Sequence, residues 1–523
     1  MGATLIGMIL NSKEVTATDG ERLVDVIRRH GISLPSPCYH KSLTETGHCG
    51  MCLIGARAKA VDGFTVVSAC TATARDGVEI DTEFPEALCK RMELLSLCLL
   101  QHPLDCSKCD KVGLCFIHRL ATRMKLRGFT RIANGKLCNV RYKNFGKNII
   151  FDGQKCIGCK RCIRFCRDTL DDEVLGFLPT EGGCGEVAPY PGKELSGNYC
   201  LNLVDLCPAG ALMDRNHIHQ PQQWTLMRTE SISIESSVGV NTYVLHSENR
   251  IFRIVPRENE HVNGPWIPDS ARVEHKFFSD RKRLLKTMIN GRKVSLRAAI
   301  THIVKAIFGH RISVVCSGSM SLEDQFVLRR FLEAAVSGAF CLRKSRTADG
   351  FLMSDDATPN FNGAILNSIA KGDSIVEDLS ELNRSTVAGQ CKLILSINED
   401  IFSNGVSRAI PGDVEIFYVG NEENETARRA SVVIPTATVF ESTGTFINKD
   451  WRLQKFHKAI NPPNASIFPP WYIFSLLLNA YFNAEENDLL WLDRVWLEMA
   501  KAIPQLVNID FSNVDSSGIL LKF

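Results

Sequence analysis

This chain of 523 residues has no long apolar segment. The longest apolar run of interest, residues 471–482, is interrupted by Asn479 and falls well short of the roughly 20 residues that span a bilayer. Neither a signal peptide nor a transit peptide is evident, because a strand-like run begins at Leu5. We therefore expect membrane contact only through partner proteins, and no delivery to an oxidising compartment.

Net charge is small as well, at +3. It gives no general reason to expect nucleic acid or an anionic membrane as partner. Acidic residues are missing from 111–151, where basic residues accumulate: Arg119, Arg123, Lys125, Arg127, Arg131, Lys136, Arg141, Lys143 and Lys147. A solvated face is the first interpretation of this stretch and docking against an acidic partner subunit the second. Nucleic acid is a distant third, since the few aromatic residues there form no stacking pattern.

Cysteine is scarce in the later part of the chain, because 17 of the 20 cysteines lie at or before Cys207. A chain of this length forms about three or four domains with buried cores, so disulfides are not needed as staples. Cysteines two residues apart on one loop also suit a metal better than disulfide pairing. The distribution predicts metal sites first and an ordinary α/β region afterwards.

The early cysteines, with one histidine, form three consecutive sets of four candidate metal ligands. The first set is Cys38, Cys49, Cys52 and Cys70; the second is His102, Cys106, Cys109 and Cys115; the third is Cys156, Cys159, Cys162 and Cys207. Thiolates in this number and spacing suit iron–sulfur clusters, and a series of clusters on one chain indicates electron transfer.

The first set is similar to a plant-type 2Fe-2S arrangement with a wider first gap. Three of its ligands lie in one loop, and Cys70 is expected from a following strand. Nearby glycines would let backbone N–H groups point at the sulfurs; they are Gly47, Gly50 and Gly55. A zinc site would use much the same ligands but would not explain two further sets in series.

The second set begins with an imidazole instead of a thiolate. A neutral histidine removes one negative charge from the ligand shell, so a cluster there should be easier to reduce. A single histidine before a proline is more often only a helix-end residue. The three cysteines that follow His102, without a fourth in that run, favour a 4Fe-4S cluster with His102 as ligand.

The third set is the strongest local signature of a 4Fe-4S cluster, with Cys-x2-Cys-x2-Cys followed by a remote Cys207-Pro208. Cys166 lies where two-cluster ferredoxins place a ligand of the other cluster. Because Arg167 follows it and no second such run exists, we interpret Cys166 as a free thiol. The other early cysteines are interpreted as core or incidental residues: Cys89, Cys98, Cys138, Cys184 and Cys200.

Periodicity predicts the elements around these ligands. Up to about residue 82, strands over 5–10, 66–69 and 78–80 alternate with one helix over 22–30. A helix over 85–101 would stop at His102-Pro103. The remaining predictions are a strand over 149–151 and, beyond Trp224, strands over 312–316, 393–397, 414–419 and 432–434 with a helix over 322–334.

Motifs around the ligands match a known family. They are Cys38-Tyr39-His40, Cys49-Gly50-Met51-Cys52, His102-Pro103-Leu104-Asp105-Cys106, Cys162-Ile163-Arg164-Phe165, Leu195-Ser196-Gly197-Asn198 and Val204-Asp205-Leu206-Cys207-Pro208. In these motifs the chain resembles the large iron–sulfur subunit of respiratory complex I. Weaker matches continue through 228–232, 433–435 and 444–448.

The resemblance implies a mixed α/β and α+β multidomain fold. Its expected parts are a β-grasp 2Fe-2S ferredoxin-type domain over 1–82, a His/Cys3 4Fe-4S domain over 83–145, a bacterial-ferredoxin-like 4Fe-4S domain over 146–222 and a molybdopterin-oxidoreductase-like domain without cofactor over 223–523. The implied cofactors are one 2Fe-2S and two 4Fe-4S clusters, with no molybdopterin.

The implied role is electron transfer from the flavin-bearing NADH-binding subunit through this chain, by way of downstream iron–sulfur subunits, toward ubiquinone. The implied location is the peripheral arm of an inner-membrane complex, on the mitochondrial matrix side or the bacterial cytoplasmic side. We expect no substrate turnover from the chain alone, because it lacks a Gly-rich phosphate loop tied to a βαβ start.

Three features depart from the family pattern. Residues 228–242 contain no cysteine, whereas some bacterial relatives carry a further cluster set there. The segment 116–119 replaces a usually acidic and amide-rich sequence. The chain is also shorter than typical members, so we expect a trimmed carboxy-terminal domain.

Two other functions remain compatible with the sequence. A stand-alone molybdopterin oxidoreductase or iron hydrogenase could share the early cluster module, although either would need further metal ligands downstream. A zinc-stabilised scaffold would use the same cysteines without electron transfer.

Overall fold

The computed structural model describes residues 4–59, 61–103, 105–125, 141–179, 185–218, 220–280, 283–308, 312–335, 338–369, 382, 388, 391–403, 410–483 and 488–523. The chain divides into two compact units, residues 1–226 and 227–523. None of the helices among the described residues is long and apolar enough to cross a membrane.

Most regular elements are short. The helices are α1 Leu23–Arg29, α2 Pro85–Gln101, α3 Phe116–Arg123, α4 Arg161–Asp168, α5 Asn202–Leu206, α6 Asp269–Asp280, α7 Leu296–Ile307, α8 Leu322–Ala335, α9 Phe361–Leu366, α10 Glu425–Arg429, α11 Pro470–Phe482 and α12 Leu492–Ala502. The strands of the first unit are β1 Leu5–Leu10, β2 Lys13–Thr18, β3 Leu53–Arg57, β4 Thr65–Ser68, β5 Glu79–Asp81, β6 Lys143–Asn144, β7 Ile149–Phe151, β8 Leu175–Pro179, β9 Gly185–Pro189 and β10 Leu212–Asp214.

The strands of the second unit are β11 Met227–Ile232, β12 Asn241–Ser247, β13 Arg250–Pro256, β14 Met288–Ile289, β15 Arg292–Lys293, β16 Ile312–Ser317, β17 Gly338–Leu342, β18 Leu393–Ile397, β19 Glu415–Gly420, β20 Val432–Pro435, β21 Gly444–Ile447, β22 Arg452–Phe456 and β23 Ile519–Leu520.

The first unit begins with a β-grasp sheet in the order β2-β1-β5-β3-β4. Its central pair β1 and β5 is parallel, whereas the other pairs are antiparallel. Helix α1 covers one face, because Leu23, Val26 and Ile27 are buried against strand residues such as Met8 and Ile54. The loop between α1 and β3 carries three of the first-set cysteines.

The rest of the first unit has little regular structure, which leaves loops free to carry ligands. A small antiparallel sheet in the order β10-β7-β6 has Phe151 and Leu212 in register. Helix α4 carries Cys162 and buries Phe165, and α5 ends directly before Cys207. The β8–β9 hairpin lies in the long insertion between these two cysteines.

The second unit is built on a seven-stranded sheet in the order β15-β14-β20-β19-β18-β16-β17. From β20 to β17 all neighbouring strands are parallel, as expected for helical crossovers. Its largest core cluster includes apolar residues of β16 and β18 and residues of α7, α8, α11 and α12. Two three-stranded antiparallel sheets, β11-β12-β13 and β21-β22-β23, complete the unit.

Most predicted elements are confirmed. The strands at 5–10, 149–151 and 393–397 and the helix over 85–101 have the predicted bounds. The helix predicted over 22–30 is one residue shorter at each end. The strand predicted over 66–69 was wrong at its end: it stops at Ser68, so Cys70 lies in the following turn instead of on a strand.

A buried carboxyl group in α6 makes the second unit sensitive to pH. Glu274 is 2% exposed and accepts hydrogen bonds from the Ser233 hydroxyl and from the Ile234 N–H at 3.1 Å. Burial raises the pKa of Glu274 to about 8. Between its unfolded pKa and pH 8 only the folded state holds this proton, so the contribution of Glu274 to stability is full at low pH and declines as pH rises.

We predict that replacing Glu274 with Gln weakens this pH dependence. Both existing hydrogen bonds can be kept by the amide oxygen, and the amide does not ionise. From pH 5 to pH 9 the wild type should lose on the order of 3 kcal/mol more unfolding free energy than the Glu274→Gln protein. Urea unfolding followed by tryptophan fluorescence measures this, because five of the six tryptophans lie in the second unit. Equal losses in the two proteins would contradict the prediction.

Candidate iron–sulfur sites

The structure brings the four cysteines of the first set together. Cys38 and Cys52 are buried, Cys49 is partly buried, and Cys70 reaches them from the turn after β4. Their thiols contact one another directly: Cys38 interacts with Cys49 and Cys70, and Cys52 with Cys70. The loop and the turn therefore converge on one point at the edge of the β-grasp sheet.

Hydrogen bonds distribute the charge unevenly in the first set. Donation from the Cys49 and Cys70 thiols lowers the pKa of Cys38, and donation from Cys70 lowers the pKa of Cys52. The same hydrogen bonds raise the pKa of Cys49 and of Cys70, since both would lose their acceptors on ionisation. Full deprotonation of the set therefore requires a cation, which is what iron ligation supplies.

The second set lies where α2 ends and α3 begins. His102 is the residue after α2 and is 5% exposed, as predicted from the His102-Pro103 stop. Cys106 starts a short 3-10 turn, Cys109 follows it, and Cys115 directly precedes α3. Burial raises the pKa of Cys109 and of Cys115, with a further contribution from the neighbouring thiols. The structure thus groups the three cysteines and buries His102 at the preceding helix end.

The third set surrounds a cavity. Cys156, Cys159 and Cys162 line it from the loop before α4 and from α4 itself, and Cys207 lines it after α5. The cavity encloses about 330 Å³ of space, part of it open to solvent, and its other walls are mostly apolar. Burial raises the pKa of Cys159 to about 12 and the pKa of Cys162 still further, and the nearby thiols reinforce both shifts.

Backbone N–H groups point at sulfur in all three sets. The N–H of Cys49 donates to Cys38 in the first set. In the second, the N–H of Lys111 donates to Cys109. The third set has the N–H of Gly158 at 3.4 Å from the Cys156 sulfur. These donors favour the thiolate form, which confirms for the first set the prediction made from its glycine-rich loop.

Segments of the third set contact both other sets. The His48 ring nitrogen Nε2 lies 3.0 Å from the carbonyl oxygen of Gly158, which joins the first-set loop to the third-set loop. On the other side, the buried Lys111 ammonium donates to the carbonyls of Val204 at 2.8 Å and Asp205 at 3.1 Å, just before Cys207. The chain order first, second, third therefore differs from the arrangement of these contacts.

Sequence reasoning missed a polar network beside the second and third sets. Asp152 is fully buried and pairs with Arg141 at 3.1 Å and with Lys155 at 3.7 Å. Arg141 also pairs with Asp105 at 2.7 Å. Only the acidic and basic residues directly flanking the ligands could have suggested this network, because its members come from separate loops.

The cysteines interpreted as non-ligands have mixed environments. Cys166 is buried on α4, and burial raises its pKa to about 12. Cys200 is also buried, whereas Cys89 is exposed. Cys138 and Cys184 lie outside the described residues. Across the described ranges, no group of three or more His, Cys, Asp or Glu side chains is arranged as a finished site for a single metal ion.

Gly210 allows the close approach of the second and third sets. Its φ is +68°, and a Cβ there would lie 2.6 Å from Lys111 Cβ and 3.2 Å from the Cys109 sulfur. We predict that Gly210→Ala displaces Cys109 and destabilises the first unit by about 1–3 kcal/mol beyond the strain of the left-handed backbone.

Gly158→Ala is the matched control, since Gly158 has a φ of +65° but no atom within 4 Å of the added Cβ. Thermal unfolding and iron retention against a chelator should separate the two variants. The same loss in both would show that the contact with Cys109 is unimportant.

Sequence models of four domain families match the chain. A 2Fe-2S iron–sulfur cluster binding domain matches residues 3–85, and the ferredoxin-like domain of NADH-quinone oxidoreductase subunit 3 matches 146–213. A model described as an NADH-ubiquinone oxidoreductase NDSU1/NuoG-like 4Fe-4S domain matches 226–276, and a molybdopterin oxidoreductase model matches 379–479. Residues 226–276 contain no cysteine, so this segment offers no thiolate ligand.

Individual relatives agree with these models. The G subunit of NADH-quinone oxidoreductase from Rickettsia bellii is 28% identical over 336 residues, covering 63% of this chain and 48% of the relative. The mitochondrial NADH dehydrogenase [ubiquinone] iron-sulfur protein 1 of Solanum tuberosum is 31% identical over 292 residues, covering 55% of this chain and 38% of the relative. The chain thus spans about half the length of the Rickettsia protein.

One solved structure, an NAD+-reducing [NiFe]-hydrogenase, is 18% identical and covers 42% of this chain and 91% of its own, with a TM-score of 0.35. That similarity is too weak to support an argument. The domain models and the named relatives confirm the predicted resemblance: the chain is related to the large iron–sulfur subunit of NADH-quinone oxidoreductase.

Proposed function

We propose that this chain relays electrons through three iron–sulfur clusters in its first unit. The observation that carries this proposal is the convergence of three ligand sets within one compact unit, with third-set segments in contact with both others. The relatives named as NADH-quinone oxidoreductase subunits support the same role. Electrons would come from a flavin-bearing NADH-binding subunit and leave toward ubiquinone through further iron–sulfur subunits.

We assign one 2Fe-2S cluster to Cys38, Cys49, Cys52 and Cys70. One 4Fe-4S cluster is assigned to His102, Cys106, Cys109 and Cys115, and another to Cys156, Cys159, Cys162 and Cys207. The 330 Å³ cavity between the third-set thiols supports a cluster there, because a single zinc ion held at about 2.3 Å from each sulfur needs no such space. When bound, these clusters would supply one-electron transfer.

The protein's own part is to hold the sulfurs, orient them and adjust their charge. N–H donors on the ligand sulfurs stabilise added negative charge, which favours the reduced state. Apolar residues exclude water between the sets, as in the cluster of Met51, Leu95, Leu99 and Ile117. Burial lowers the cost of reorganisation on electron transfer, because fewer water dipoles must turn when the charge changes.

We propose the predicted domain limits, at residues 82, 145 and 222, as the limits of the three cluster-bearing parts. The proposed setting is the peripheral arm of an inner-membrane respiratory complex, with membrane contact through partner subunits. The side of the membrane is the mitochondrial matrix or the bacterial cytoplasm, according to the source.

We propose that the second unit is structural and holds no molybdopterin. In doubly wound sheets, ligands bind beyond the carboxyl ends of the strands where the strand order reverses, which here lies between β16 and β18. That position is filled by the chain itself. A Cβ on Gly318, directly after β16, would lie 2.3 Å from Thr358 Cγ2, and Lys344 pairs with the buried Glu399 at 3.1 Å.

The metal content tests this proposal against its alternatives. Anaerobically purified protein should be brown and contain about ten iron and ten acid-labile sulfide per chain, with one 2Fe-2S and two 4Fe-4S signals in electron paramagnetic resonance of the reduced protein. A colourless zinc protein without sulfide would establish the scaffold alternative. Molybdenum, tungsten or hydrogen evolution would establish a stand-alone enzyme.

Replacing Cys159 with Ser should remove the third-set 4Fe-4S signal and reduce NADH:quinone activity of the assembled complex by at least about 10-fold. Cys166→Ser is the matched control, since Cys166 is a buried thiol on the same helix that we assign no ligand role. Its three signals should persist. Unchanged spectra and activity in Cys159→Ser, or loss of the cluster in Cys166→Ser, would contradict the ligand assignment.

A further inference from the structure

We propose that Arg161 and Arg164 form a positively charged bridge that holds the first and third cluster sites together and favours electron uptake at both. This inference rests on the proposed function, since it concerns the same clusters. The two residues are three positions apart on α4, on the same face of the helix. We call this pair of side chains the arginine bridge.

Arg164 links the two sites directly. Its side chain is 3% exposed and donates hydrogen bonds to the carbonyl oxygens of Cys38 and Thr44 in the first-set loop. The same guanidinium lies 3.4 Å from the carbonyl oxygen of Cys159, a third-set ligand. One side chain thus contacts the main chain of a ligand from each set.

Arg161 repeats this pattern one turn earlier. It donates to the carbonyl oxygens of Tyr39 and of Ser36, the latter at 3.1 Å, on either side of Cys38. It also lies 3.4 Å from the carbonyl oxygen of Leu206, the residue before Cys207. The arginine bridge therefore holds three segments: the Cys38 loop, the loop before α4 and the Cys207 return.

No carboxylate neutralises this charge. Among the described residues, every hydrogen-bond acceptor of the two guanidiniums is a main-chain carbonyl, and neither forms an ion pair. The nearby buried cation Lys155 differs, because it lies 3.7 Å from Asp152. Burying an unpaired charge is strongly unfavourable, so a buried arginine indicates that an opposite charge is close by.

The cysteine sulfurs supply that opposite charge. The Arg161 charge interacts electrostatically with both Cys159 and Cys38, one ligand from each set. A cluster held by four thiolates is anionic and gains a further negative charge on reduction. A guanidinium stays protonated in proteins, so the arginine bridge offers a permanent positive charge to both clusters. Its removal should make reduction harder at these two sites and affect the second set less.

The test is redox titration of the full-length protein, followed by electron paramagnetic resonance, in the wild type and four variants. Arg164→Gln and Arg161→Gln remove one charge each, and Arg164→Lys keeps the charge. Arg167→Gln is the control, because Arg167 lies on the same helix but is exposed and pairs with Asp168 at 2.8 Å. Loss of signal in Cys159→Ser identifies the third-set cluster.

At a fixed potential, each Gln variant should lower the ratio of reduced to oxidised 2Fe-2S and third-set clusters on the order of 10-fold. The second-set cluster should shift less, and Arg164→Lys and Arg167→Gln should titrate close to the wild type. If Arg164→Gln assembles neither cluster while Arg164→Lys assembles both, the arginine bridge is likewise supported, with its charge needed for assembly.

Unchanged midpoints in both Gln variants, or an equal shift at all three clusters, would overturn the inference. Equal cluster loss in Arg164→Gln and Arg164→Lys would also overturn it, since the shape of the side chain and not its charge would then matter. A wild-type protein without clusters would refute the proposed function itself. That failure is distinguishable, because it appears before any variant is compared.

Discussion

The concentration of ligand sulfurs in a small, water-poor volume is the constraint on which the first unit depends. Burial alone raises the pKa of thiols such as Cys159 and Cys162, and their mutual repulsion adds to the effect. The chain opposes this cost with N–H donors, with the Lys111 ammonium and with the Arg161–Arg164 pair. Those groups explain why so much of this unit is loop: main-chain donors and acceptors must face the sites instead of pairing in sheets.

The same constraint accounts for the arrangement of the three sets. The β-grasp sheet holds Cys70 and the Cys38 loop, and helix ends hold His102, Cys115 and Cys207. Ligands on helix ends and tight turns have little freedom to move when charge changes. Such rigidity suits electron transfer, because a preorganised site needs little rearrangement between its oxidised and reduced states.

The second unit follows a different physical rule. A parallel sheet covered by α7, α8, α11 and α12 forms a large apolar core, and its buried carboxyl groups are satisfied locally. Glu323, for example, accepts hydrogen bonds from Thr445 and from the Trp496 indole. The strand ends where a cofactor would bind in related folds are occupied by Thr358 and by the Lys344–Glu399 pair. A scaffold role is consistent with this filling.

Much of the molecule could be predicted from its sequence. Cysteine spacing marked all twelve candidate ligands, and hydrophobic periodicity located β1, α2, β7 and β18 to the residue. The His102-Pro103 pair correctly predicted the end of α2, because proline cannot continue a helix. These features are local, so neighbouring residues were sufficient to indicate them. The position of Cys70 was missed by a small margin, since strand ends depend on pairing partners.

Only the tertiary structure decided which sets are neighbours and what surrounds them. The carbonyl partners of Arg164 are 120 and 126 residues away, at Thr44 and Cys38, and the partner of Glu274 is 41 residues away, at Ser233. No periodicity encodes such pairs, because they depend on how separate loops pack. By itself the sequence determined the chemistry of the ligands; folding determined the charge that each of them meets, since electrostatic interaction depends on distance in space and not along the chain.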